Sequence, residues 1–165
     1  MRRILVPAAI AAIAGLVLAS GITASPDSSA VVRFGNVDAG SPFPPPDGHD
    51  ASSNGEDNVI PRTVVISAPG TVRFDIEQFG FHQPVVYAAG IQPGDIAVPA
   101  FPPNLLLSPP VGLTPGQIAK GPLHEPGMPP VSWTTSFSAP GKYLVICNLT
   151  PHFAFFNMYG WVIVT

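Results

Sequence analysis

The chain has 165 residues, only 10% of them charged, and a formal net charge of −3 at neutral pH. A weakly charged, mildly acidic chain argues against nucleic acid as a partner, which selects a basic face. Gly and Pro number 16 and 22, which disfavours long helices and fits one loop-rich all-β domain.

Met1-Arg2-Arg3 is basic, Ile4 to Leu18 is apolar, and small and polar residues follow from Ala19 to Ser25. This is the layout of a secretory signal peptide over residues 1–24, with cleavage near Ala24 or Ser25. The apolar run of about 15 residues is short of the roughly 20 that span a bilayer, so no stable membrane anchor is expected. No cysteine lies there to carry a lipid. The mature protein is therefore expected outside the cytoplasm, periplasmic or extracellular. Without the first 24 residues, five basic residues face ten acidic ones.

Residues 25–60 read as a short strand, Ala30 to Phe34, and a Pro/Gly-rich loop over 36–57 in which His49 is solvated between Asp47 and Asp50. Pro61 to Ser67 is rich in β-formers. Ala68-Pro69-Gly70 is a turn, and Thr71 to Glu77 alternates, with Val72, Phe74 and Ile76 facing in. These two strands are expected to form a hairpin. His82 in GFHQPVVY sits where a loop becomes a strand, and Pro84 points to an edge or an irregular start. From Ala88 to Pro130 the chain is Pro- and Gly-rich. Within it Thr114 to Lys120 suggests one or two helical turns, with Thr114 as cap and Pro115 in the first position. His124 and Met128 are expected to be exposed in a Pro-rich loop. Val131 to Phe137 alternates, with Trp133 and Phe137 on one face. Six to eight short strands separated by turns imply a β-sandwich of two sheets.

The last 25 residues, GKYLVICNLTPHFAFFNMYGWVIVT, carry the chemistry. Cys147, the only cysteine, cannot form an internal disulfide. It is an inert buried thiol, an intermolecular bridge, a metal ligand or a catalytic group. His152 follows five residues later and Met158 six beyond that, between the apolar strands Tyr143–Ile146 and Trp161–Val164. Thiolate, imidazole and thioether on one short loop suit a soft metal. Two His, one Cys and a weak axial Met mark a blue-copper electron-transfer site, with His82 placed to supply the second imidazole.

With these residues in hand, the chain resembles the cupredoxins, the small blue-copper proteins that include plastocyanin, azurin and pseudoazurin. GFHQPVVY, SAPGKYLVIC, Cys147-x4-His152 and NMYGWVIVT carry the resemblance, over Pro61 to Tyr87 and Val131 to Thr165. It implies a Greek-key β-sandwich over residues 61–165 with at most one short helix. It also implies one copper ion, cycling between Cu(I) and Cu(II), on His82, Cys147 and His152 with Met158 as weak axial ligand. Five residues separate His152 from Met158, where the family has three or four. The axial position thus falls to Met158 through a one-residue bulge, to Asn157, or to nothing. Gln83 stands where plastocyanin and azurin carry an Asn that hydrogen-bonds the Cys sulfur.

The expected function is an exported mononuclear copper electron carrier, a monomer that meets a redox partner protein through apolar surface near His152. Pro151, Phe153, Phe155 and Phe156 would form that surface. The alternative is copper storage, delivery or tolerance with the same site. An enzyme is not expected, because four His without a His-x-His pair cannot build a trinuclear copper cluster, and one Cys cannot build a binuclear one.

Overall fold

The computed structural model describes residues 26–35, 58–76 and 80–165. The expected signal peptide, the 36–57 loop and His49 lie outside them. Among the described residues, nine strands form two mixed sheets. In the four-stranded sheet, β1 (Ser29–Gly35) pairs antiparallel with β2 (Asn58–Ile60) and parallel with β4 (Gly70–Ile76), and β4 pairs antiparallel with β7 (Val131–Phe137). The five-stranded sheet runs β3 (Thr63–Ile66), β9 (Tyr159–Val164), β8 (Gly141–Cys147), β5 (Pro84–Tyr87), β6 (Gln117–Lys120). One five-residue helix, α1 (Thr150–Ala154), lies between β8 and β9.

The sheets pack face to face. Val32, Phe34, Val72, Phe74, Ile76 and Phe137 from one meet Val64, Ile66, Val86, Val145, Val162 and Val164 from the other in a single buried cluster. Alternation selects these residues in β4 and β7; the other face of β7 meets water, while on that of β4 Arg73 is exposed and Asp75 is buried against Arg73 and Ser132. Strand β8 differs. Tyr143, Val145 and Cys147 face the inner core, while Leu144 and Ile146 join Val85, Tyr87 and Phe153 on the outer face. A strand buried on both sides reads as a continuous apolar run. The segment between β5 and β6, together with α1, supplies that outer cover through Ile91, Ile96, Leu107 and Phe153.

Three expectations fail for identifiable reasons. Strands β3 and β4 form no hairpin. β3 pairs with β9, β4 with β1 and β7, and the turn between them crosses from one sheet to the other. The Ser67 N–H donates to Asp27 O and the Thr71 N–H to Ser28 O, so both arms bond outward instead of to each other. Thr114–Lys120 is not helical. Gln117 N–H donates to Thr114 O across Pro115-Gly116, Gly116 has φ +85°, and the chain then enters β6. Proline followed by a left-handed glycine is as much the mark of a type II turn as of a helix start. Finally, of the two readings of Pro84, an edge or an irregular start, the edge fails, because β5 is an interior strand. Pro84, with no N–H to donate, is tolerated because it is the first residue, opposite Cys147.

Candidate metal centre

Three side chains, one from the segment before β5, one from the end of β8 and one from α1, converge at one end of the sandwich. His82, Cys147 and His152 each place a ligand atom so that all three lie within 4.8 Å of one another. His82 and Cys147 are fully buried. His82 precedes β5 in an isolated antiparallel bridge with His124: each N–H donates to the other's carbonyl, at 3.0 and 2.8 Å. Its ring lies edge-on to Phe34, 6.3 Å away, and 5.1 Å from the His152 ring. Gly80 has φ +101°, and a Cβ there would stand 3.0 Å from His82 Nε2. The glycine thus lets the chain turn and leaves room for the ring.

Cys147 ends β8 and its N–H donates to Met158 O at 3.0 Å. His152 sits in α1, and its Nδ1 is 3.7 Å from Cys147 Sγ. That separation fits a shared ion. For a first-row metal such as zinc, with bonds of about 2.3 Å to sulfur and 2.0 Å to nitrogen, the two donors lie roughly 3.5–3.7 Å apart at angles of about 110–120°. Burial pushes the His152 imidazole down to about 4, so at neutral pH it keeps the lone pair that a metal needs. The donor set, one thiolate and two imidazoles, is soft and able to hold one metal ion.

Met158 is fully buried, in the same core cluster as Cys147. Its N–H donates to His152 O at 2.9 Å. Asn157 is solvent-exposed and takes up the left-handed conformation, φ +54°. Asn tolerates this region better than most residues. Asn157 thus faces solvent while Met158 is turned into the core.

Four neighbours of the site carry weight that their sequence positions do not advertise. Gln83 does not turn its amide to the Cys sulfur. Its Nε2 donates to Pro110 O (2.8 Å) and Gly121 O (3.0 Å), which uses both N–H bonds. Its Oε1 accepts from Asn148 Nδ2 at 2.7 Å. Asn148 in turn is held by Ser108, whose N–H and hydroxyl donate to Asn148 Oδ1 at 3.1 and 2.8 Å. His124, expected to be exposed, is buried, with Nε2 3.1 Å from Pro129 O; it is not part of the converging group. Met128 is exposed, as expected. The place of Asn148 directly after Cys147 is the one signal that could have pointed to this network. Ser108 lies 40 residues from Asn148, and nothing marks it.

No family model matches the chain, and no curated protein matches its sequence. Solved structures do. Reduced auracyanin from the photosynthetic bacterium Roseiflexus castenholzii superposes with a TM-score of 0.53 at 18% identity, covering 86% of this chain and 99% of that one. Auracyanin B gives 0.53 at 22% identity, covering 87% and 93%. The chain has the cupredoxin fold. At this identity the likeness is one of architecture; the convergence of His82, Cys147 and His152 is seen in this chain itself.

Around that end several large apolar side chains are exposed. Phe155 and Phe156 are 61% and 56% exposed. Phe101 meets the Phe155 ring at 6.3 Å, Phe156 meets the His152 ring at 6.3 Å, and exposed Leu105 is tied by its carbonyl to the Thr150 N–H. Phe153 is 6% exposed and packs on Tyr159 under the outer face, so it belongs to the core and not to this surface.

Proposed function

We propose that the protein is an exported, mononuclear copper electron carrier and not an enzyme. His82, Cys147 and His152 would hold the ion, with Met158 as the weak axial ligand. The observation that carries this reading is the convergence of one thiolate and two imidazoles within 4.8 Å. Copper there supplies one-electron exchange between Cu(I) and Cu(II). The chain's own part is rigidity. His82 is bridged to His124, Cys147 is bonded to Met158 O, and β8 is buried on both faces, so the donors have little freedom to rearrange. Little rearrangement favours rapid exchange. The position of Met158, buried where Asn157 is exposed, supports the thioether over the amide.

Among the described residues no helix is long and apolar enough to cross a membrane. Export rests on the N-terminal signal layout. We further propose that a redox partner docks on Phe101, Leu105, Phe155 and Phe156 beside His152, by brief apolar contact. Residues 96–119 and 143–165 contain no Asp, Glu, Lys or Arg.

The test is an optical titration of the purified protein with Cu(II). The expected result is a strong thiolate-to-copper band at one equivalent, lost on reduction and absent in Cys147→Ser, with a reversible midpoint potential. No band would overturn the blue-copper reading. A band with copper that passes readily to a chelator, and no reversible potential, would move the function to storage or delivery.

A further inference from the structure

The segment between β5 and β6 does more than cover the outer face. At Leu105–Ser108 it lies along the chain that follows Cys147. Leu107 N–H donates to Asn148 O and Thr150 N–H to Leu105 O, both at 2.8 Å, around an antiparallel Leu106–Leu149 bridge. Ser108 then closes on the Asn148 side chain from three directions: N–H and hydroxyl to Oδ1, and Asn148 Nδ2 back to Ser108 O at 3.0 Å.

The direction of every bond in this cluster is forced by its ends. Lys120 Nζ donates to Ser108 Oγ (3.0 Å) and to Pro109 O (2.6 Å), and an ammonium only donates. Gln117 Nε2 also donates to Ser108 Oγ, at 3.0 Å, with its other N–H on Tyr87 OH. The Ser108 oxygen thus accepts twice and must send its one proton to Asn148 Oδ1. That orients the Asn148 carboxamide with Nδ2 toward Gln83 Oε1. Gln83 Nε2 is then free to meet the carbonyls of Pro110 and Gly121, which only accept. Asn148 N–H donates to Gln83 O at 2.8 Å. The chain runs from the Lys120 cation to the residues directly after Cys147 and His82, and every amide in it is saturated.

We propose that Ser108 and Lys120 are positioning residues of the metal centre, acting through Asn148 on the peptide that follows Cys147. This rests on the copper reading given above. The strap Leu105–Ser108 is then a third support for the ligands, beside the two sheets, and Lys120 sets both the polarity of the chain and a positive charge behind it. A cation near the ion disfavours the more positive Cu(II) state, so its loss lowers the midpoint potential.

Two readouts test this. In the metal-free protein, Ser108→Ala should speed hydrogen exchange at the Asn148 and Thr150 backbone amides at least tenfold, with β4 and β7 amides unchanged. Lys120→Met should give a smaller rise, at least threefold, and Lys120→Arg none. In the copper-loaded protein, Lys120→Met should lower the midpoint potential and Lys120→Arg restore it. Unchanged exchange at Asn148 and Thr150 in both variants, or an unmoved potential in Lys120→Met, overturns the inference. Lys120→Met keeps the test decisive if Ser108→Ala does not fold. A wild-type protein without the charge-transfer band overturns the copper reading itself, whereas a banded wild type with indifferent variants overturns only the support.

Discussion

Two segments meet at the metal end of this sandwich, and they work differently. The loop from Cys147 to Met158 supplies Cys147, His152 and, on our reading, Met158. The strap Leu105–Ser108 supplies no candidate ligand, yet it bonds that loop at Asn148 and Thr150 and caps its outer side with Leu107. One segment contributes chemistry through residue type, the other contributes order through backbone and amide hydrogen bonds. The difference teaches that ligands and the device that holds them are separable parts, so substitutions can strike one without the other.

The largest effect on the holding frame should come from the inner core, one ring removed from His82. Phe74 is fully buried in β4, edge-on to Phe34 and stacked on Trp133 at 5.5 Å. Phe74→Ala should cost about 3–5 kcal/mol in chemical denaturation, as such truncations do. The thiolate band of the folded fraction should stay in place. A displaced band would mean that the inner core sets ligand geometry directly, and the separation would fail.

Asn148→Ala strikes the junction. It leaves Gln83 Oε1 and the Ser108 N–H and hydroxyl without their partner. Orphaned buried groups cost about 1–3 kcal/mol each and do not add simply, so a loss of at least about 2 kcal/mol is expected. The band should also shift or weaken, because the peptide after Cys147 is released. Stability lost without a spectral change would show that the junction serves the fold alone.

The two segments were unequally legible. Cys147, His152 and His82 stand out because few other residue types do what they do, and spacing then links them. The alternation of β4 and β7 was equally plain, since polar residues take every second place in each, even where one of them, Asp75, is buried. Pairing was not. Thr63–Ile66 and Gly70–Ile76 are neighbours in sequence and good strands both, but their partners, β9 and β1 with β7, lie far along the chain. Periodicity reports which face is buried and says nothing of which strand lies alongside. The strap was least legible of all. Its bonds come largely from backbone N–H and C=O groups, which every residue owns, and its one decisive side chain is a serine. The Pro-Gly pair at 115–116 satisfied two local patterns, and the tertiary pairing of β6 with β5 chose the turn.

Gly80→Ala should act on a ligand while sparing the strap. At φ +101° an alanine is strained by more than about 1 kcal/mol. Its Cβ would also press His82 Nε2 from 3.0 Å. Copper affinity should fall about tenfold, which is about 1.4 kcal/mol. The exchange rates of the Asn148 and Thr150 amides should stay as in wild type. If those amides speed up as well, the ligand side and the strap are one cooperative unit.

The smallest effect on the fold, and the most informative for function, concerns the surface that both segments build together. Phe155 comes from the ligand loop and Phe101 from the region of the strap, and their rings meet edge to face. Each is solvent-exposed, so Phe155→Ser and Phe101→Ser should each change stability by no more than about 0.5 kcal/mol. Copper binding should persist, since neither ring belongs to the donor group. Electron exchange should nevertheless slow severalfold in each variant, because apolar contact beside His152 is what would bring a partner close. The absence of charged residues over 96–119 and 143–165 adds a second expectation. Steering by charge falls steeply with ionic strength, whereas apolar docking does not. Exchange by wild type should therefore vary little with added salt, and the two variants should keep that flat profile at a lower level. A steep salt dependence would place docking on charged surface elsewhere, and the aromatic collar would then serve only to keep water from the His152 ring.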